Sequence, residues 1–315
     1  MTGNSHPPVL EANADGIVRA ANKLREGGLV ALPTETVYGL AARADSDDAV
    51  AGIYRAKGRP DFNPLIVHVP DLVVAERLAV FDNRARKLAA AFWPGSLTMV
   101  LPRRAEAPLA AAVTAGLATV ALRCPAHPVM RAVLAEIGLP LAAPSANRSG
   151  GVSPTCAAHV AASLGNRIDA ILDGGACGAG LESTIVAVDA DGGWRLLRPG
   201  PVTEAAIADV LGPADLGLSR KGIEAPGQLV SHYSPGKPVR LGAVAPRAGE
   251  FHIGFGAVAG DFNLSPGGDL VEAASRLYFG LHVAADTAHP RVAVAPIPDD
   301  GIGRAINDRL RRAAA

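Results

Sequence analysis

The 42 residues from Gly28 to Val69 constrain this chain more than any other stretch, because they run strand, polar loop, amphipathic helix, basic turn, strand. Leu29 to Leu32 is a short apolar run closed by Pro33. Thr34, Glu35 and Thr36 follow at the end of that buried strand, where open α/β sheets bind ligands. A helix starts near Asp47, whose carboxylate suits an N-cap and the positive end of the dipole. Val50, Ile53, Tyr54 and Lys57 share one face at helical spacing, and Gly58 fits the position just past the last turn. Arg59, Pro60, Asn63 and Pro64 then lead into a strand from Leu65 to Val69 that carries His68. Lys57, Arg59, Asn63 and His68 are therefore expected at one edge. A Lys-Gly-Arg at a helix end also serves as plain dipole chemistry on a solvated surface. Two details favour an anion site instead: the chain uses 25 Arg but only 5 Lys, and the pair is followed by a rigid Pro and Asn-Pro turn.

Further on, Thr119, Ala121 and Arg123 alternate with Val120 and Leu122, so the first three share one face of a strand. An arginine facing inward needs an anion. A core carboxylate and a ligand satisfy that need equally, and the alternation does not choose between them. A helix spans His127 to Ile137, and a strand from Leu141 to Ala143 enters the polar, Gly-bearing loop 144–155 ahead of a helix starting around Thr155. Backbone N–H groups at such a turn can cradle an anion, although a Ser/Gly/Asn loop is often only a loop. Segment 103–117 reads as an irregular connection, and 184–188 pairs with 194–198 as a hairpin. A helix from Thr203 to Leu211 closes a first domain, 1–211. Residues 212–237 show no sustained period and carry Gln228, His232 and Tyr233 as polar handles, which fits a linker or a functional loop. The pattern restarts in 238–315, with short strands at Val239–Leu241, Phe251–Phe255 and Val292–Ala295 and a helix at Asp269–His282. Gly254-Phe255-Gly256 followed by Gly260 lacks the spacing of a dinucleotide fingerprint and reads as a turn.

Hydrophobic residues make up 49% of the 315 and aromatics only 4%, so the core must be built from Ala, Val and Leu. Thirty Lys+Arg balance 30 Asp+Glu, so no global field draws in nucleic acid and any anion site is local. Cys124, Cys156 and Cys177 are odd in number and far apart, which argues against a disulfide framework or a structural zinc. No apolar run approaches the ~18 residues of a membrane span, and the first residues lack the pattern of a secretory signal. A cytoplasmic protein is expected. No G-x-x-x-x-G-K-[ST], HExxH or G-x-S-x-G occurs. What remains is a set of cations and hydroxyls suited to holding a polyanion beside a small carboxylate.

Pro33-Thr34-Glu35-Thr36-Val37-Tyr38-Gly39-Leu40, Lys57-Gly58-Arg59-Pro60, Asn63-Pro64-Leu65 and Pro144-Ser145-Ala146-Asn147 together resemble the YrdC/Sua5 family. The likeness covers about 28–235 and continues more weakly to the C-terminus. It implies an α/β fold: a YrdC-like twisted mixed sheet with helices, a linker (212–237) that crosses the active site, and a smaller, here short, Rossmann-like C-terminal domain (238–315). The implied activity is L-threonylcarbamoyladenylate synthesis, a nucleotidyl transfer that joins L-threonine, bicarbonate and ATP for tRNA threonylcarbamoyladenosine formation. By resemblance Thr36, His68, Arg123 and Ser183 meet threonine, with Arg123 on its carboxylate. Lys57 and Arg59 act on the triphosphate, and Asn63, Thr119, Ser145, Asn147, Ser153, Arg198 and Tyr233 complete the ATP side. Mg2+ would accompany ATP, with no ligands named by the sequence. A downstream tRNA-modifying threonylcarbamoyl transferase complex would take the product, and weak RNA binding is a further expectation. The rivals are a non-catalytic RNA-binding module and a related carbamoyl-transfer enzyme. The neutral charge and the lack of aromatics among the cations weigh against the first. The lack of a zinc-finger Cys pattern weighs against the second.

Overall fold

The computed structural model describes residues 7–189, 192–214, 224–226 and 232–315. The chain opens with β1 (Val9–Glu11) and α1 (Ala14–Arg25), then β2 (Val30–Leu32), β3 (Gly39–Arg43) and α2 (Asp47–Lys57). Next come β4 (Ile66–His68), α3 (Leu72–Leu78), α4 (Asn83–Phe92), β5 (Leu97–Pro102) and the short α5 (Ala111–Thr114). After β6 (Thr119–Arg123), α6 (Pro128–Ile137), β7 (Leu141–Ala142), α7 (Ala157–Leu164) and β8 (Ala170–Asp173) follow. The hairpin β9 (Thr184–Val188) and β10 (Trp194–Arg198) and then α8 (Glu204–Leu211) complete this part.

These strands form one ten-stranded mixed sheet in the order β1-β8-β2-β3-β7-β4-β6-β5-β9-β10. Its two faces are treated differently, and that difference creates the site. On one face Ala31, Leu40, Ala42, Val67, Leu97, Met99, Val120 and Leu122 pack against α2, α3, α4 and α7. On the other, α1 and α6 cover only the half built around Val30, Leu32, Ala41 and Leu141. The remaining half carries Ile66, Val100, Ala121, Ile185 and Ala187, which are buried and cluster with Ala225 of the connecting segment and with no helix among the described residues. Thr119, Ala121 and Arg123 share that second face, as period-two alternation requires.

The second sheet contains β11 (Val239–Arg240), β12 (Glu250–Gly254), β13 (Phe262–Asn263) and β14 (Arg291–Val294), with α9 (Leu270–Asp286) and α10 (Gly303–Ala313). Its order is β11-β14-β12-β13 and all its pairs are parallel. Its apolar core is not self-contained, because Val37, Val152, Leu181 and Tyr233 belong to the same cluster. The approach is close at Gly180, where φ is +65° and an added Cβ would lie 2.4 Å from the Ser275 carbonyl oxygen of α9. Gln228 and most of the connecting segment lie outside the described residues.

Several local expectations are corrected. Ser46 caps α2 by accepting from the Ala49 N–H, while Asp47 accepts from the Ala111 N–H. Gly39–Arg43, expected within a loop, is a strand pairing antiparallel to β2. Its Gly-Leu-Ala-Ala-Arg sequence has little β-propensity, and burial in the sheet outweighs that. Segment 103–117 contains one helical turn, and the helix after the 144–155 loop begins at Ala157.

Candidate active site

The half of the sheet that no described helix covers floors a cleft that encloses about 530 Å³, its open mouth included. One end is organised by Arg123 at the C-terminal end of β6. Thr34 Oγ1 donates to the Val37 carbonyl at 2.6 Å, so the Thr36 hydroxyl donates to Thr34 Oγ1 at 2.8 Å. Thr36 Oγ1 then accepts from Arg123 Nη1 at 2.8 Å. Arg123 Nε donates to the Gly95 carbonyl at 3.2 Å. Nη2 lies 2.6 Å from Glu35 Oε1 as an ion pair, yet makes no well-aligned hydrogen bond. The core carboxylate that the alternation allowed for is thus Glu35, and Arg123 still lines the cleft. Burial pushes the Glu35 carboxyl up, but the Arg123 charge and the Ala126 N–H outweigh it and hold the group below the usual range. His68 is paired in register with Arg123 on the neighbouring strand. Burial first, then the Arg123 charge, push the His68 imidazole down to about 3, so it is neutral at neutral pH. Its Nδ1 has no hydrogen-bond partner among the described residues.

The other end is cationic. Lys57, in the last turn of α2, is buried and donates from Nζ to the carbonyls of Ser145 and Asn147. Arg59 donates to the carbonyls of Asn63 at 3.2 Å and Pro64 at 3.0 Å. Arg198, at the end of β10, donates to the Ser183 carbonyl at 3.1 and 3.0 Å and to the Pro226 carbonyl at 3.4 Å. None of the three makes a salt bridge to a carboxylate among the described residues. Burial, then the neighbouring Arg59, drive the Lys57 amine well below its ordinary value. Burial lowers Arg59 to about 10, with Arg198 adding to the effect, which leaves its guanidinium charged. Glu182 is the only carboxylate among the described lining residues. It accepts from Ser153 Oγ at 2.5 Å, Tyr278 OH at 2.7 Å and Arg309 Nε at 2.9 Å.

Of the sequence-predicted residues, Thr36, Arg59, His68, Arg123, Ser145, Ser183, Arg198 and Tyr233 line the cleft. Lys57, Asn63, Asn147 and Ser153 are buried outside that lining. Lys57 was expected to face a ligand and instead fastens the 145–147 loop. The Ser153 proton is committed to Glu182. Thr119 is not gathered in: it pairs with Pro102, four residues and about 13 Å along β6 from Arg123. Four buried side chains carry a polar atom without a hydrogen-bond partner among the described residues, namely Asn63, His68, Arg123 and Asn147. All four are sequence-predicted. His68 and Arg123 are neighbours in the cleft lining, where unmet polar atoms mark a polar ligand's seat better than any single distance does, while Asn63 and Asn147 are buried outside it.

Residues 22–200 match a family model of Sua5, YciO and YrdC proteins described as "Telomere recombination". Residues 202–315 match one described as "Threonylcarbamoyl-AMP synthase, C-terminal domain". A threonylcarbamoyl-AMP synthase of Bacillus subtilis is 42% identical over 97% of this chain and 94% of its own. The chain belongs to the Sua5/YrdC family. Pyrococcus abyssi Sua5, solved in complex with L-threonine, superposes with a TM-score of 0.88 at 34% identity and 97% coverage of both chains. Escherichia coli YciO, at 22% identity, shares the fold with a TM-score of 0.53 over 62% of this chain and 96% of its own.

Within this family member, four site residues escaped the sequence reading of roles. Glu35 and Glu182 stand beside Thr36 and Ser183, so adjacency was a usable signal. Tyr278 and Arg309 reach Glu182 across 96 and 127 residues, and no local pattern announces that. For Mg2+ the fit is poor. No group of three or more His, Cys, Asp or Glu suits a metal among the described residues. Glu182, which lines the cleft, and Glu35, which pairs with the lining residue Arg123, are already committed to arginines. The described residues therefore offer no resident magnesium site, and no step runs through the ion.

Proposed function

We propose that this chain is an L-threonylcarbamoyladenylate synthase that forms threonylcarbamoyl-AMP and pyrophosphate from L-threonine, bicarbonate and ATP. The observation that carries the reading is the end-to-end match with a Sua5 solved with L-threonine, in a chain whose Arg123, Thr36 and His68 meet in one cleft. The Arg123 fork suits the threonine carboxylate, and Thr36 and Ser183 supply hydroxyls for its other polar atoms. Neutral His68, with Nδ1 unpartnered, orients the amino acid or its carbamate; at a pKa of about 3 it is a poor proton acceptor.

Bicarbonate takes up a proton and loses water to give CO2; the threonine amine adds to it and loses a proton, giving a carbamate. A carbamate oxygen then attacks the α-phosphorus while the bond from that phosphorus to the bridging oxygen breaks, and pyrophosphate leaves with that oxygen. Arg59 and Arg198 now bond to backbone carbonyls, and they can turn the same N–H groups to the triphosphate. Lys57 supports the loop that carries Ser145 and Asn147. ATP enters with its own Mg2+ as part of the substrate. Such a transfer depends on positioning and charge neutralisation, in a cleft that Pro226, His232 and Tyr233 help to close against water. The product, a reactive mixed anhydride, is consumed by a tRNA-modifying threonylcarbamoyl transferase complex in the cytoplasm.

The test is pyrophosphate release from MgATP by the purified chain, with threonine and bicarbonate omitted in turn. Release that needs both is expected. Release indifferent to either omission would overturn the reading.

A further inference from the structure

Arg309 is 0% exposed, although it is carried by α10 of the smaller sheet's layer. A buried arginine is rare unless its fork is fully used. Here Nε donates to Glu182 Oε2 at 2.9 Å, Nη2 to the Pro199 carbonyl at 2.9 Å, and Nη1 pairs with Asp308 at 2.6 Å. The guanidinium carbon also lies 5.4 Å from the centre of the Tyr233 ring, a cation–π distance. One side chain from the C-terminal layer therefore touches the lining carboxylate Glu182, the residue after Arg198, and the lining ring Tyr233. Tyr278 of α9 donates to the same Glu182 oxygen.

The position of Glu182 gives these contacts a consequence. It precedes Ser183, whose carbonyl and hydroxyl both accept from Arg198. A free carboxylate there would compete with any anionic ligand for the nearby cations, because opposite charges at close range in a buried cleft attract strongly. We propose that Arg309 is a positioning residue for the cationic end of the cleft: by occupying Glu182 it keeps that carboxylate from neutralising Arg198, which stays available to a polyanion. The C-terminal layer thereby completes the electrostatics of a site built on the other sheet. This inference rests on the synthase reading for the identity of the polyanion as a nucleoside triphosphate.

The experiment uses the full-length protein and two readouts: binding of a non-hydrolysable ATP analogue by calorimetry, and steady-state pyrophosphate release. Arg309→Gln is expected to weaken analogue binding and raise KM for ATP about tenfold, within the range usual for coupling between sites, while KM for threonine changes much less. Arg309→Lys should restore most of the loss. The deciding variant is Glu182→Gln/Arg309→Gln, in which carboxylate and guanidinium are removed together. It should bind the analogue several-fold more tightly than Arg309→Gln alone. If the double variant is no better than the single one, or if ATP and threonine KM rise in parallel, Arg309 is only a bridge between the two layers and the proposal falls. Should Arg309→Gln fail to fold, analogue binding by Arg309→Lys and by the double variant, each against wild type, decides the matter: near-wild-type binding in both supports the proposal, and loss in the double variant overturns it. The binding readout needs no turnover. A wild-type protein that binds the analogue but releases no pyrophosphate would sink the synthase reading and leave Arg309 testable.

Discussion

The two ends of the cleft solve the problem of a buried arginine in opposite ways. At one end Arg123 meets a carboxylate 2.6 Å away, so the guanidinium and Glu35 form a nearly neutral unit. At the other, Lys57, Arg59 and Arg198 spend their N–H groups on backbone carbonyls, and Glu182 is taken by Arg309. A pre-neutralised end suits a small zwitterion that is fixed by geometry. An end with uncompensated charge suits a polyanion, which supplies the missing countercharge and can displace weak carbonyl partners. The difference teaches that counting cations in a sequence does not say what they bind. The partner each cation already has decides that.

Lys57→Ala would break the comparison most severely. It should lower pyrophosphate release roughly 100- to 1,000-fold, as loss of a preorganised cationic support does. Because two buried carbonyls lose their donor, it should also destabilise the fold by about 2–4 kcal/mol, read from a urea titration. Lost turnover with an unshifted urea midpoint would return Lys57 to direct ligand contact. Arg198→Gln comes next: KM for ATP should rise ~10- to 100-fold, the loss of one or two charge-assisted bonds, and well beyond any change for threonine. Equal changes for both substrates would erase the distinction between the ends.

Arg123→Lys sharpens the contrast from the other side. The charge remains and the planar fork is lost, so KM for threonine should rise about tenfold while ATP is nearly unaffected. A larger effect on ATP would mean that Arg123 serves the other substrate. The smallest expected effect is in acid. Burial raises the Glu182 carboxyl, but Arg309 and Arg198 outweigh it and bring the group down to about 2, from an ordinary value of 4.5. A carboxylate depressed in the folded state contributes stability that is present above its unfolded value and is lost as pH falls through the folded one. Glu182→Gln should therefore flatten the fall of Tm between pH 4.5 and about 2. Glu35→Gln, whose shift is in the same direction, should flatten it less. A steeper fall in either variant contradicts the assigned sign.

Much of this arrangement is readable before any folding. The Lys57, Arg59, Asn63 and His68 grouping follows from a helix, a rigid turn and a strand of known lengths, and the inward Arg123 follows from period-two alternation. The strand Gly39–Arg43 was not readable, because glycine and alanine carry little β signal and the strand exists through its neighbours on both sides. Thr119 was placed on the correct face but at the wrong distance. Alternation fixes which side a residue faces and leaves open how far along the strand a ligand reaches.

The sequence by itself determined the local geometry: helix α2, the strands carrying His68 and Arg123, and the hydroxyl-rich loop at 34–36. Each depends on periodicity, caps and turn residues a few positions apart. Tertiary structure alone decided the pairings that span the chain, Arg123 with Glu35 over 88 residues and Glu182 with Arg309 over 127. Charge pairing depends on distance in space, and a chain brings such residues together only when its sheets and the layer beside them are in place.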